Sequence, residues 1–315
     1  MIHRSLLRDG SLGIRIAPHL ADAAARWLPL VPADGDVRPG ARVIRLTGGA
    51  GEEAPMEGEP TLRLGTVGAW MQDGSAGLAG SAGLRGTVRL NGGAHLQVAD
   101  AAPFAASEWE VFTGCTLAGA LLLGRMGRAL VHAAVPVDAD GRAWLLVGDT
   151  HAGKTTTCAN LLQAGWRYVS DDHVILRAAQ GGIEAEGWPR PFHLDEGWEG
   201  GAPLHRRGTT DPHARWPGQW LQAAPLAGLL FPRVQADRPT ALERVSGADA
   251  LALLLRQSPW LLADRGAAPA LLALLQRAAS LPAWSLRLGL DSYADPALLS
   301  ARITAATSGT GEKNP

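Results

Sequence analysis

Cysteine is scarce. The chain of 315 residues holds two, Cys115 and Cys158, too few for a disulfide framework. Cys158 reads as a small buried thiol. His205 and His213 have no ligand partners at a recognisable spacing, so no zinc site is expected. Long apolar runs are missing too. The nearest, Cys115 to Leu123, falls well short of the roughly 20 residues of a membrane span. The first ten residues, Met1 to Gly10, lack the apolar core of a signal peptide. Neither charge sign dominates: 29 basic residues face 30 acidic ones, for a net charge of −1. Nothing in that balance calls for nucleic acid or an anionic membrane, and no basic run is interleaved with aromatics. The expectation is a cytoplasmic globular protein with no nucleic-acid partner and no membrane partner. Its length allows a full core and either two domains or one large one.

One stretch carries clear chemistry. The apolar run Trp144-Leu145-Leu146-Val147 leads into Gly148-Asp149-Thr150-His151-Ala152-Gly153-Lys154-Thr155-Thr156, which spells G-x-x-x-x-G-K-T, and a helical segment follows. Strand, glycine-rich turn and helix is the setting a phosphate-binding loop requires. Gly148 and Gly153 let the backbone curl so that its N–H groups face phosphate oxygens, and the helix start adds its positive dipole end. Lys154 can reach the β- and γ-phosphates, and the Thr155 hydroxyl can bind Mg²⁺. The loop residues from Gly148 to Thr156 are therefore the candidate nucleotide contacts, with ATP and Mg²⁺ as the ligands.

Seventeen residues after Lys154 come Asp171 and Asp172, inside the run from Trp166 to Leu176 and flanked by apolar strand residues. Thr155 to Leu162 spans about two helical turns, Ala164-Gly165 closes the helix, and the next strand is expected to return beside the phosphate-loop strand. Adjacent carboxylates on a strand point to opposite faces; where a strand ends, both can reach one site. One would then bind Mg²⁺ and the other accept a proton from an attacking hydroxyl. Upstream, Leu130 to Val137 reads as a strand, followed by the turn Asp138-Ala139-Asp140-Gly141. That hairpin can bring His132 to the nucleotide site, although a lone histidine in an apolar strand is more often a core residue.

The combination of His132-Ala133-Ala134, a hairpin turn, G-D-T-x-x-G-K-T and A-G-W-R-Y-V-S-D-D resembles the catalytic domain of the HPr kinase/phosphorylase family. It is most similar to HPr-kinase-related proteins of bacterial peptide-modification clusters, including kinases of lasso-peptide precursors. The resemblance covers about Leu130 to Leu176 and continues more loosely to about Ile303. It implies an α/β fold, with an HPr-kinase-like (PEP-carboxykinase-like) P-loop core and a small N-terminal β-rich domain. It also implies Asp171 as the base toward a serine hydroxyl with His132 assisting. Lys154 and Thr155 become the phosphate and metal residues, and Asp171 and Asp172 further metal ligands. The family also leaves a homo-oligomer open. Two departures stand out. His151 occupies a position where the family usually has glycine. The second motif of true HPr kinases, L-E-x-R-G, is absent, with Glu184-Ala185-Glu186-Gly187 a faint substitute. Both point away from HPr as substrate and from the reverse phosphorylase reaction.

The remaining chain divides at about residue 105. Residues 1–105 read as a β-rich accessory domain, with alternating strands at Arg42–Leu46, Thr61–Leu64 and Thr87–Leu90 and a loose acidic, glycine-rich loop from Gly48 to Pro60. Its role is either substrate docking or covering the kinase core. Residues 106–307 read as the kinase domain. Ser107 with Glu110 three residues on forms a capping box that opens a helix running to about Arg128. The stretch from Gly187 to Trp220 concentrates Trp, Pro, Gly and Arg. It is either a substrate loop, with Arg190 as the phosphate-facing arginine, or an irregular connection whose tryptophans fill a core. Further elements are a strand at residues 226–231, a Ser246-capped helix to Gln257, a helix from Pro269 to Ala279, a strand at Trp284–Leu290 and a helix from Pro296 to Thr307. Residues 308–315 read as a frayed tail. The expected activity is Mg²⁺- and ATP-dependent phosphoryl transfer to a Ser or Thr hydroxyl of a peptide or small protein. A small-molecule hydroxyl kinase and a catalytically silent nucleotide-binding regulator are the alternatives.

Overall fold

The computed structural model describes residues 2–20, 37–49, 58–99, 104–188, 192–195 and 207–308. It is a mixed α/β structure with two large sheets, in two compact units: Met1–Leu130 with Pro259–Leu272, and Val131–Ser258 with Ala273–Pro315.

The first unit holds eight strands: β1 (Ile2–Ser5), β2 (Leu12–Ile16), β3 (Arg42–Gly48), β4 (Leu62–Leu64), β5 (Val67–Gln72), β6 (Ser75–Gly80), β7 (Leu84–Arg89) and β8 (Ala94–Val98). They form one sheet in the order β1-β2-β3-β8-β7-β6-β5-β4. The two-residue alternation seen in the sequence is the alternation of its faces. Ile14, Ile44, Leu46, Leu96 and Val88 are buried on one side, while Arg45, Thr87 and His95 are exposed on the other. Helix α1 (Phe104–Gly124) packs on the apolar face, and each aliphatic side chain buried there contributes about 1.5–3 kcal/mol. Because α1 completes this core, it belongs to the first unit, as does the segment Pro259–Leu272; the sequence reading grouped both with the second.

The capping box is a correction. The helix begins at Phe104, so Ser107 lies within it. Glu110 turns away from the helix start and is 2% exposed. Its carboxylate accepts hydrogen bonds from the Ala82 N–H at 2.9 Å, the Leu84 N–H at 3.2 Å and the Thr66 hydroxyl at 3.2 Å. A buried carboxylate that ties the helix to the sheet edge satisfies more donors than a cap would.

The second unit is built on β9 (Ala129–Val137), β10 (Ala143–Val147), β11 (Arg167–Ser170), β12 (His173–Ala179), β13 (Gly182–Gly187), β16 (Ala223–Val234), β17 (Ala241–Arg244) and β18 (Ala283–Leu288), with β14 (Phe192–Asp195) and β15 (Arg207–Thr210) forming a separate pair. Strand β16 pairs antiparallel with β13 at its start and parallel with β10 and β18 further on. The pairings therefore close a circuit through β10, β9, β12, β13 and β16. β9 and β10 are buried almost throughout, as strands covered on both faces must be. The hairpin turn between them forms as expected: Asp138 accepts from the Arg142 N–H at 2.9 Å and from the Trp144 indole at 3.0 Å.

Helix α2 (Lys154–Gln163) follows the glycine loop, and Gly165, at φ +88°, provides the left-handed residue after it. α2 packs Cys158, Leu161 and Leu162 into a core with Trp144, Trp166, Tyr168, Phe192, Trp216, Trp284 and the helix Pro296–Ser308. Ser246 caps the helix Gly247–Gln257 by accepting from the Asp249 N–H. One expectation is corrected here, and an open alternative is decided. The strand after α2 does not lie beside the phosphate-loop strand; β11 pairs with β9, which also pairs with β10. The run Trp166–Leu176 is two strands, broken by a bend at Asp171 and Asp172. Both follow from the hairpin, which fills the position next to β10 before the helix returns.

Candidate functional site

The glycine-rich turn forms where the motif predicts, between β10 and α2. A Cβ on Gly148 would come within 2.9 Å of the Ala152 Cβ, so only glycine closes the loop this tightly. Gly153 has φ +96°, and a Cβ there would strike Leu288 at 2.9 Å. The Ala152 N–H donates to the Asp149 carbonyl at 3.0 Å, and the first intrahelical bond runs from Thr157 to Gly153 at 2.8 Å. No side chain caps the helix start, which leaves its first-turn amides facing the loop as an anion site requires. The Lys154 ammonium lies along the loop and donates to the carbonyls of Gly148 at 2.8 Å and Asp149 at 3.2 Å. Thr155 and Thr156 are half-buried, and Asp149, Thr150 and His151 are exposed. His151 sits at φ +67°. Its position is one that glycine adopts without cost and other residues at about 1–2 kcal/mol.

The two aspartates separate. Asp171 is 2% exposed and lies close enough to Cys158 of α2 and to Tyr168 to act on their titration. Burial first, and the Asp171 charge second, push the Cys158 thiol well above its ordinary range; burial is likewise the main cause that raises Tyr168. Cys158 is therefore a neutral thiol at physiological pH. Asp172 faces the histidines: His132 Nε2 stands 3.3 Å from Asp172 Oδ1, and His173 Nδ1 contacts Oδ2. The two imidazole rings are 5.5 Å apart, centroid to centroid. The structure thus brings His132 to Asp172, whereas the family pattern couples it to Asp171.

Register ties this pair to the loop. Val147, the last residue of β10, lies opposite Ala133, and the Ala133 N–H donates to the Asp172 carbonyl at 2.9 Å. Loop entrance, His132 strand and Asp172 therefore share one level of three neighbouring backbones. With adjacent strands about 4.8 Å apart, Asp172 lies about 10 Å from the loop entrance.

Three residues at the end of the helix Gly247–Gln257 were not singled out in the sequence. Arg256 Nη2 pairs with Asp149 Oδ2 at 3.0 Å, the Gln257 amide donates to Asp149 Oδ1, and Ser258 Oγ accepts from the His132 N–H at 3.2 Å. This segment holds both the phosphate loop and the histidine strand. The Ser246 cap predicts where the helix starts, but no local signal says that its far end meets the loop. His173 was overlooked as well, although it directly follows the aspartate pair.

Arg190 lies outside the described residues, as do Trp198, His205 and Arg206. In the described part of that stretch the tryptophans are structural. Trp188 and Trp216 are buried, and Arg215 stacks on the Trp216 ring at 5.4 Å. Glu184 and Glu186 both face Arg177, the latter at 3.6 Å, an ion-pair cluster on the sheet. Among the described residues no group of three or more His, Cys, Asp and Glu side chains could by itself hold a metal, and no helix is long and apolar enough to cross a membrane.

No family model matches the chain, and no curated protein sequence matches it. Among solved structures, the HPr(Ser) kinase/phosphatase from Coxiella burnetii aligns over 58% of this chain and 99% of its own, at 11% identity and a TM-score of 0.35. A score of that size does not establish a shared fold.

Proposed function

We propose that the second unit is a Mg²⁺- and ATP-dependent kinase that transfers the γ-phosphate to a Ser or Thr hydroxyl of a peptide or small protein, a ribosomally made peptide precursor rather than HPr. The observation that supports this most is the register that sets the His132–Asp172 pair about 10 Å from the entrance of a phosphate loop. A triphosphate seated on the loop can present its terminal group over such a distance.

The loop residues fit a nucleotide. Gly148 and Gly153 leave the backbone clear, the N–H groups of the first turn of α2 can donate to phosphate oxygens, and Lys154 supplies a point charge. Mg²⁺ would be shared between the nucleotide and the Thr155 hydroxyl, and when bound it neutralises phosphate charge. Asp172 is the better-placed base. It is more accessible than Asp171, and His132 and His173 fix its carboxylate. In the reaction the acceptor O–H gives its proton to Asp172 as the oxygen bonds to the γ-phosphorus. The bond from that phosphorus to the β,γ-bridging oxygen breaks, and ADP leaves with the electron pair. Asp171, buried against α2, would help to position the helix that starts at the loop.

The test is incubation with γ-labelled ATP and peptides encoded beside the gene. Label on a peptide Ser or Thr supports the proposal. MgATP binding without any transfer would indicate a silent nucleotide-binding regulator, and label on a small hydroxyl compound a small-molecule kinase.

A further inference from the structure

The first unit has a feature that phosphoryl transfer does not use. Its eight strands contain seven arginines, two histidines and not one aspartate or glutamate, in a chain whose net charge is only −1. Several of these arginines and histidines stand in direct cross-strand register on the face opposite helix α1. His3 lies opposite Arg15, Arg15 opposite Arg45, Arg45 opposite His95, and His95 opposite Thr87. Arg85 and Arg89 flank Thr87 at two-residue steps and so share its face. Arg45, His95 and Arg89 are exposed and Arg15 is half-buried.

Like charges on neighbouring strands repel and destabilise a sheet. Among the described residues no carboxylate pairs with Arg15, Arg45 or Arg89, and the Arg85 guanidinium donates to the carbonyls of Gly80 and Leu84 instead. With strands about 4.8 Å apart, the row from His3 to His95 spans about 14 Å. Arginine matches carboxylate geometry with two parallel N–H donors. No Phe, Tyr or Trp side chain separates the members of the row, as a platform for stacked bases would require.

We propose that this face binds an acidic, extended polypeptide segment of a partner. Alternate side chains of an extended strand project every 6.6–6.8 Å or so on one side, so glutamates or aspartates at every second position would lay two or three carboxylates along the row. Identifying the segment as part of the phosphoryl acceptor rests on the peptide-kinase reading above; the binding itself does not.

The experiment uses the full chain without nucleotide. A fluorescent peptide of alternating glutamate and serine is titrated by anisotropy, beside the same peptide with glutamine for glutamate and a single-stranded RNA oligonucleotide. The glutamate peptide is expected to bind with a salt-dependent affinity that falls about tenfold or more in Arg15→Glu/Arg45→Glu. Arg15→Gln/Arg45→Gln should show a smaller loss of affinity and, with the cross-strand repulsion removed, should melt no lower than wild type. Lys154→Ala should bind the peptide as wild type does, which separates this face from the kinase reading. Equal affinity for the glutamate and glutamine peptides, unchanged binding in the charge-reversed protein, or RNA bound in preference to the acidic peptide would each overturn the proposal.

Discussion

The two large sheets use the same backbone for opposite purposes. In the first unit strands such as β7 and β8 alternate, with one face buried under α1 and arginines on the other, so the side chains proposed to bind lie on the face. In the second unit β9 and β10 are apolar almost throughout, both faces are covered, and the chemistry is pushed to strand ends and the connections beyond them. Gly148 begins where β10 stops, Asp171 and Asp172 occupy the bend between β11 and β12, and Arg256 to Ser258 end a helix. A sheet buried on both sides has only its ends to offer a ligand, as open α/β sheets generally do. A sheet with one free face can present a charged surface.

The sharpest way to break this comparison is Lys154→Ala. It should abolish phosphoryl transfer, a loss of about a hundredfold or more in turnover, while acidic-peptide binding by the first unit persists. Measured transfer at the wild-type rate would remove the loop from the chemistry. Next come the two aspartates. Asp172→Asn should keep MgATP affinity and lose about 10²–10⁴ in turnover. Asp171→Asn should chiefly lower the melting temperature, because it alters a buried charged group behind α2. If instead Asp171→Asn loses turnover in a fully stable protein while Asp172→Asn remains active, the base is Asp171, as the family pattern has it. His132→Ala should cost less than Asp172→Asn, about tenfold in turnover with MgATP affinity unchanged. In combination with Asp172→Asn it should add little, since groups acting as a unit are not additive. A core histidine would instead show lost thermal stability with full turnover per folded molecule. The smallest effect belongs to His151→Gly. Relieving its positive φ should stabilise the protein by about 1 kcal/mol or less, read as a slight rise in melting temperature; a fall would mean that the His151 side chain contributes more than the strain costs.

Much of this was legible because it is local. Strand–loop–helix around Lys154, the turn at Asp138, the Ser246 cap and the alternating strands of the first unit each depend on residues within a few positions. The errors lie where distant residues compete for the same group. Ser107 and Glu110 spell a capping box, but the amides of Ala82 and Leu84 claim the Glu110 carboxylate. The strand after α2 could not dock beside β10 because the His132 hairpin was already there. The pairing of His132 with Asp172 rather than Asp171 depends on a bend that apolar flanking residues concealed. Arg256 and Gln257 reach Asp149 from more than a hundred positions away, and no spacing rule covers that.

The most direct measurement is a calorimetric titration of MgATP into the wild-type protein and into Lys154→Ala. Saturable binding at one site in the wild type, weakened at least about tenfold in the variant, is the expected result. No binding by the folded wild type, or equal affinity in the two proteins, would contradict a nucleotide seated on the Gly148–Thr155 loop and with it the kinase built around that loop.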